Sequence, residues 1–531
     1  MKKLFVYVLM AVATISCSKE TDLTDIENRL NNLDNKGNSL NQRIDSLNEK
    51  DLQLLSLSFF ANDNPMQLTA DVKGEIIGDS VVDCWVPNIM SDKLLIPKAE
   101  FVGESVTFDG VPATIGSSKH DFKKPVKMTI TNGSKSKDYT IYVHSYTGLP
   151  VMWIETEGRQ AITSKENYLR ASFRLVEDVK TRAAGDVIED SVSIKGRGNS
   201  TWTESPKKPF RLKFDKKISL FNEPKDKSWV LLSNYADKSM IRIQSSLYMG
   251  SISNLEYTPN GHFVELMLNG RYHGTYLLTD KLKISEDRVN VGKDGFLLEI
   301  DYWSRVQSES DARYFTVSHI SNAINIKDPE VEYDDDNYNY IRNYMAIVDS
   351  VLYDDNFLDS NEGWQKYMDI ESFVDWFIIN EIAKNYDAIF RTSCYMNLKR
   401  NGKLKMGPIW DFDIGYGNCY EAYDDCRIPE GYHVKNASWY TRLFQDPAFV
   451  AKVKERFNYF YSKRDDIMRE INANAMYLKY AVQENENRWH TFYTYTWPNY
   501  DIWGSYNNEV QSMKEWLNAR FEWLKGEFDK M

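Results

Sequence analysis

Gly407-Pro408-Ile409-Trp410-Asp411-Phe412-Asp413 is the stretch on which the reading of this chain turns. Just upstream, Cys394 to Met406 reads as a short hairpin turned at Asn401-Gly402, a pair suited to the positive φ of a tight turn. Shortly before it comes another aspartate, in Asn385-Tyr386-Asp387. Carboxylates held in place by a hairpin suit a hard divalent cation such as Mg²⁺, which wants oxygen ligands at fixed geometry. One carboxylate on a metal and another near an attacking hydroxyl is the minimal equipment for phosphoryl transfer. The alternative is a buried Trp-Asp turn whose carboxylates cap backbone amides.

At 531 residues the chain is too long for one ordinary core, and two to four units are expected. Its formal net charge of −12 excludes the basic face that a nucleic-acid binder needs. The aromatic richness, 33 Tyr and 14 Trp, serves a bulky core or a carbohydrate-stacking surface equally well. Met1-Lys2-Lys3, an apolar run from Leu4 to Ile15 and Ser16-Cys17-Ser18 form a signal-peptide pattern. The apolar run is too short to span a bilayer. The cysteine at the expected cleavage point resembles a loose bacterial lipobox. That resemblance implies that Cys17 is lipidated, and that the chain is exported and anchored to the cell envelope, at an outer membrane. Glu20 and Asp22 around Lys19 resemble the surface-export signals of Bacteroidetes lipoproteins. Of the remaining cysteines, Cys84, Cys394, Cys419 and Cys426, none shows metal-site spacing. Cys419 and Cys426 either pair across one polar segment or stay as buried thiols.

Past residues 1–17, residues 18–55 carry a heptad seam through Ile26, Leu30, Leu33, Leu40, Ile44, Leu47 and Leu54. This predicts a short coiled-coil stalk, able to make a homo-oligomer, or a helix lying on the next domain. Residues 56–147 alternate apolar and polar residues around turns such as Asn132-Gly133, which predicts a small β-sandwich of immunoglobulin type. Residues 150–531 form the largest unit, strand-rich to about residue 300 and helical after about residue 338, an α+β pattern with two lobes.

That unit holds an ordered series of segments. The first is Ile194-Lys195-Gly196-Arg197-Gly198-Asn199-Ser200-Thr201-Trp202, followed by the basic strand Lys207 to Phe214. A glycine-rich loop can offer backbone N–H groups to phosphate. In the strand, Lys208, Arg211 and Lys213 interleave with Phe210, Leu212 and Phe214, predicting one basic and one buried face. The second, Trp229 to Arg242, reads as a buried strand leading into a helix capped by Asp237. The third, Val264 to Lys281, is a hairpin turned at Asn269-Gly270, and Phe296 to Asp301 is a further strand ending in acids. The last is Asn380 to Asn418.

Taken in order over about residues 150–530, these segments resemble the CotH (spore-coat protein H-like) kinase family. The resemblance implies an atypical protein-kinase-like fold, ATP and Mg²⁺ as cofactors, and transfer of phosphate to a protein hydroxyl. It implies that Asp387 is the catalytic aspartate, Asp411 the metal-binding aspartate and Asp413 a second carboxylate. Arg197, Gly198, Asn199 and Ser200 then cover the phosphates, with Lys208 or Lys213 as the strand lysine, and Leu278-Thr279-Asp280 lies beside adenine. Thr392 stands where an ordinary kinase has a metal-binding Asn, and the helix after Asp237 carries Arg242 and Gln244 but no glutamate. Outside the cell ATP is scarce, so a surface interaction protein built on the same fold is the second reading. A carbohydrate-active enzyme, with Trp410 and the aromatic stretch Trp489 to Trp503 as stacking surfaces, is the third.

Overall fold

Phe210, Leu212 and Phe214 are buried while Arg211 and Lys213 between them are not, so the alternation of the basic segment becomes a strand with one face in a core. The computed structural model describes residues 32–36, 52–68, 71–86, 92–177, 187–419 and 424–531. Cys17, the signal segment and most of the heptad stretch lie outside the described residues; residues 32–36 are an exposed helical turn. Among the described residues, no helix is long and apolar enough to cross a membrane.

The basic strand is β4 (Phe210–Ile218) of a closed seven-stranded barrel. Its companions are β1 (Val151–Thr156), β2 (Leu169–Val176), β3 (Val187–Gly196), β5 (Asp226–Leu232), β6 (Gly261–Leu268) and β7 (Arg271–Asp280). The order is β1-β2-β3-β4-β5-β7-β6, antiparallel except where β1 runs parallel to β6 and closes the ring. Met152, Phe173, Leu212, Leu231, Leu266 and Tyr276 fill the interior, so the barrel encloses core and not a channel. Pairing of Val151 with Glu265 closes the strand-rich segment and removes both sheet edges. The β6–β7 hairpin turns at Asn269 and Gly270 with φ of 53° and 78°, the geometry that Asn-Gly favours.

A short helix α1 (Ser200–Glu204) follows β3, and α2 (Arg242–Ser251) follows β5. Asp237 does not cap a helix beginning beside it. Its carboxylate accepts from the Arg242 N–H at 2.9 Å, with the Arg242 guanidinium alongside, so it anchors the start of α2 across an intervening turn.

After the barrel the chain builds an antiparallel sheet in the order β9-β10-β8-β11-β12. Its strands are β8 (Phe296–Asp301), β9 (Tyr314–Phe315), β10 (Ala323–Asp328), β11 (Cys394–Leu398) and β12 (Leu404–Met406). Between its strands lie α3 (Trp303–Ser308), α4 (Asp336–Tyr353) and α5 (Ile370–Ala383). The last of these is buried from Ser372 to Ala383, apolar on nearly every side as a helix enclosed by its neighbours must be. It is covered by α6 (Pro447–Ser462), while α7 (Arg464–Tyr477), α8 (Ala481–Trp489) and α9 (Tyr506–Asp529) complete the helical part. The chain is thus a mixed α+β protein.

Residues 53–145 form a separate set of strands around their own core of Leu57, Val82, Phe108, Met128 and Ile141. This unit is docked on the rest through buried polar groups. The Glu484 carboxylate, on α8, pairs with Lys93 and contacts the His144 ring at 3.2 Å. One residue on, the Asn485 carbonyl accepts from Lys207 at 2.8 Å, just before β4. The Tyr272 N–H of β7 donates to Asp83 at 2.8 Å. One helix therefore ties the N-terminal unit to the barrel.

The Lys93 and Glu484 side chains are 4% and 6% exposed. Removing one member of a buried pair strands the other charge, which costs about 3–5 kcal/mol. Glu484→Gln should therefore lower the unfolding free energy, measured by urea titration, by about 3 kcal/mol. Asp138→Asn, at the exposed Lys127 pair, should leave it nearly unchanged.

Candidate functional site

Two loops meet below the open end of the barrel. The first leaves α5 at Lys384, whose φ of 49° ends the helix, and continues through Asn385-Tyr386-Asp387. The buried Glu381–Arg520 pair at 2.6 Å and the Lys384 ammonium, bonded to the carbonyls of Ile428 and Glu430, hold its base. The second is the Trp410–Asp413 turn, placed by the β11–β12 hairpin, with Asp411 at a φ of 66°. Backbone bonds from Tyr386 N to Ile414 O (3.0 Å) and Tyr416 N to Ala383 O (2.7 Å) strap the loops together. The aspartates of both loops thereby face one cavity of about 720 Å³.

The carboxylates feel each other. Burial, then the neighbouring Asp411, pushes Asp387 up to about 7. Burial followed by the charges of Asp411 and Asp387 holds Asp413 far above the usual carboxylate range. Ser393 donates to Asp411 at 3.0 Å. The Asp387 carboxylate makes no hydrogen bond among the described residues and is open to the cavity. Among the described residues no group of His, Cys, Asp or Glu forms a protein-only metal cage. Asp411 and Asp413 instead fit a cation that keeps most of its waters or phosphate oxygens as ligands, as Mg²⁺ does. Their mutual repulsion is the observation that favours a cation there.

The barrel supplies the opposite wall. Gly196 ends β3 where a Cβ would overlap the Trp202 ring at 2.3 Å, and Gly198 has a φ of 82°. Arg197 between them reaches across to Trp410, 5.8 Å from the ring centre, and its charge faces Asp411. Arg197, Gly198, Asn199 and Ser200 all line the cavity, as do Asp387, Asp411 and Asp413. Lys208 and Lys213 do not. The Lys208 ammonium donates to the Trp202 carbonyl and rests on that ring, while Lys213 points along the outer barrel face toward Tyr168. Alternation along β4 gave the correct face but not the distance to the cleft, and Arg211 is the strand residue that borders it.

Other strands bring the lysines. Lys281, just past β7, lines the cavity, and burial and the nearby Arg211 lower it to about 8. Lys195 and Lys327 join it, the latter 3.1 Å from Glu299. Asp301, at the end of β8, is raised to about 6 by burial and then by Glu299. It accepts from Thr392 at 2.7 Å and from Arg305 of α3 at 2.6 Å. The acids ending β8 and the lysine ending Thr279-Asp280-Lys281 were visible as strand-end charges; Arg305 stood in no motif. Asp280, expected beside adenine, is held by Arg288 (2.9 Å) and the Tyr257 hydroxyl (2.9 Å).

No curated protein matches the sequence. Among solved structures, a DUF4623 family protein from Bacteroides eggerthii aligns at 12% identity and a TM-score of 0.14, over 35% of this chain and 58% of that one. A Bacteroides thetaiotaomicron protein provisionally described as a glycoside hydrolase aligns at 15% identity and a TM-score of 0.16, over 54% of this chain and 80% of that one. At these scores neither carries an inference about fold or activity. The sequence profile of the family described as CotH kinase protein, in contrast, matches residues 194–524, which hold both walls of the cavity. The chain belongs to the CotH kinase protein family.

Proposed function

We propose that this protein is an exported, lipid-anchored phosphotransferase that moves a phosphoryl group from ATP to a Ser or Thr hydroxyl of a protein. In this reading the barrel is the first lobe of an atypical kinase-like domain, and the β8–β12 sheet with its helices is the second. Cys17 carries the anchor, residues 18–55 form a coiled-coil stalk that can join copies, and residues 56–147 form an Ig-like module. No part of the reading calls for nucleic acid.

The observation that carries it is the convergence, in one cavity, of a basic glycine-rich wall and the Asp387, Asp411 and Asp413 carboxylates. Triphosphate charge is met by Arg197, Arg211, Lys195 and Lys281. Asp411 and Asp413 are the carboxylates that would hold Mg²⁺, which when bound neutralises charge on the β- and γ-phosphates. Asp387 accepts the proton of the acceptor hydroxyl as that oxygen bonds to the γ-phosphorus and the bond to the ADP oxygen breaks. Its open carboxylate is what such a role needs. Placing this group opposite Arg197 sets the hydroxyl on the acid side and the phosphates on the basic side.

One observation favours the second reading, a surface interaction protein with a weakened site. The Thr392 hydroxyl, standing where a metal-binding carboxamide is found in ordinary kinases, is spent on Asp301.

ATP with Mg²⁺ should raise the melting temperature of the wild type, because a ligand of the folded state alone stabilises it. Asp411→Ala should abolish that shift. Asp387→Ala should keep it while losing about 10²- to 10⁴-fold in autophosphorylation with labelled ATP. No shift at millimolar nucleotide would sink the kinase reading in favour of the interaction protein.

Nucleotide affinity should also sort the lysines. Lys281→Met should weaken ATP–Mg²⁺ binding by about tenfold or more, the loss of one charge-assisted bond, while Lys208→Met and Lys213→Met leave it nearly unchanged. The reverse order, read by calorimetry, would return the phosphate role to β4.

The pH dependence has a definite sign. Asp387, raised to about 7, keeps its proton below that pH, so kcat/KM should climb as pH rises through about 7 and then level off. Arg305 holds the value down, so Arg305→Gln should move the acid limb to higher pH. A limb that stays in place in this variant would remove Asp387 as the titrating base.

A further inference from the structure

A second cavity, of about 1200 Å³, lies away from the phosphate site, between α7, α8, the start of α9 and Lys124-Pro125 of the N-terminal unit. Its buried lining is apolar, from Val482, Phe492, Tyr506 and Val510. Its polar lining includes five neutral carboxamides, Asn472, Gln483, Asn487, Asn507 and Gln511, beside His490 and Ser505; Gln483 donates to Asn487 at 3.1 Å, Asn487 to the Lys123 carbonyl at 3.0 Å and Gln511 to Glu515 at 2.7 Å. The Asn472 and Asn507 side chains make no hydrogen bond among the described residues. Glu486 also lines the cavity, but its carboxylate is spent on the Thr491 N–H and hydroxyl and on the Phe492 N–H. No free carboxylate remains, and the cations are the exposed Lys124 and Lys479.

One wall carries an exposed aromatic ring, Tyr493. Tyr493 is 77% exposed, although a ring of that size is normally covered. One side of it rests against Gly504, where a Cβ would stand 3.3 Å from the ring, and φ there is 72°. Tyr495, Tyr500 and Trp503 of the same loop are 59%, 43% and 44% exposed, with the Arg427 guanidinium 4.0 Å over the Tyr500 ring. Exposed aromatics gathered in one loop mark a contact surface.

We infer that this groove binds a neutral saccharide. A carboxamide offers two donors and an acceptor in one plane, the pattern that neighbouring sugar hydroxyls satisfy. An aromatic face takes the apolar C–H side of a pyranose ring, and the apolar floor excludes water beneath it. A helical peptide would look for a wide apolar trough rimmed by charge, whereas here Asn472 and Asn507 present their carboxamides beside the exposed Tyr493. Polyanions are disfavoured by a protein of net charge −12 that brings two lysines.

The test is affinity electrophoresis of the full chain in gels containing soluble starch, xylan, galactomannan or mixed-linkage β-glucan, with polygalacturonate as the charged control. Retardation by at least one neutral polysaccharide is expected, weakened about tenfold by Tyr493→Ala and also by Asn507→Ala. Both side chains are exposed, so an unchanged melting temperature in each variant certifies the fold. The proposal is overturned if no neutral gel retards the wild type, if polygalacturonate alone does, or if both variants bind within about twofold of wild type. A dimer in sedimentation that Tyr493→Ala dissociates would also overturn it, by assigning the groove to a second copy. None of these readouts depends on phosphate transfer.

Discussion

Asp387, Asp411 and Asp413 face one cleft partly withdrawn from water, and keeping these acids together is the constraint that the surrounding loops answer. Here they are strapped by the Tyr386–Ile414 and Tyr416–Ala383 backbone bonds. The base of one is fixed by the Glu381–Arg520 pair, whose side chains are 1% and 0% exposed. The tip of the other is restrained by Ser393 and faces the charge of Arg197. The local cost of confining these acids is met by contacts in the core of α5 and α9, where a helix apolar on nearly every side leaves little freedom to relax.

The opposite wall obeys the complementary rule. Lys281, Arg211, Lys195 and Lys327 are brought together from different strand ends, and only Lys327 has a close carboxylate partner, Glu299. Closure of the barrel by β1 on β6 keeps the strands that carry Lys195, Arg211 and Lys281 from splaying, while Lys327 comes from β10 of the second sheet. The N-terminal unit contributes through α8, because Lys207, bonded to Asn485, immediately precedes β4 and so fixes the exit of the glycine-rich segment. Its docking surface, α8 and the barrel share one buried polar cluster.

What the sequence made legible was local. The Asn401-Gly402 and Asn269-Gly270 turns and the buried face of β4 follow from neighbouring residues, and each stands in the structure where its pattern put it. What it hid was through-space. Alternation assigns a side chain to a face but not to a distance, so Lys213 and Arg211 looked equivalent although only Arg211 borders the cavity. Barrel closure depends on pairing Val151 with Glu265, which no local signal announces. Arg305 lies on a short helix with no periodicity and reaches the site only because α3 folds back under β8. Cys17 and most of the heptad seam lie outside the described residues.

The departure at Thr392 has a structural counterpart that bears on how the site divides its acids. In this chain Thr392 and Arg305 both engage one oxygen of Asp301, at 2.7 Å and 2.6 Å, and the Tyr302 N–H adds a third bond at 2.8 Å. An oxygen so fully engaged has little left for a cation. Asp301 therefore acts as a brace that orients Arg305, and Arg305 in turn tempers the charge of Asp387. Under the proposed function, cation binding then falls to the Trp410–Asp413 turn. A site with two protein carboxylates must draw its remaining ligands from water and phosphate, so its hold on metal is tied to the presence of nucleotide.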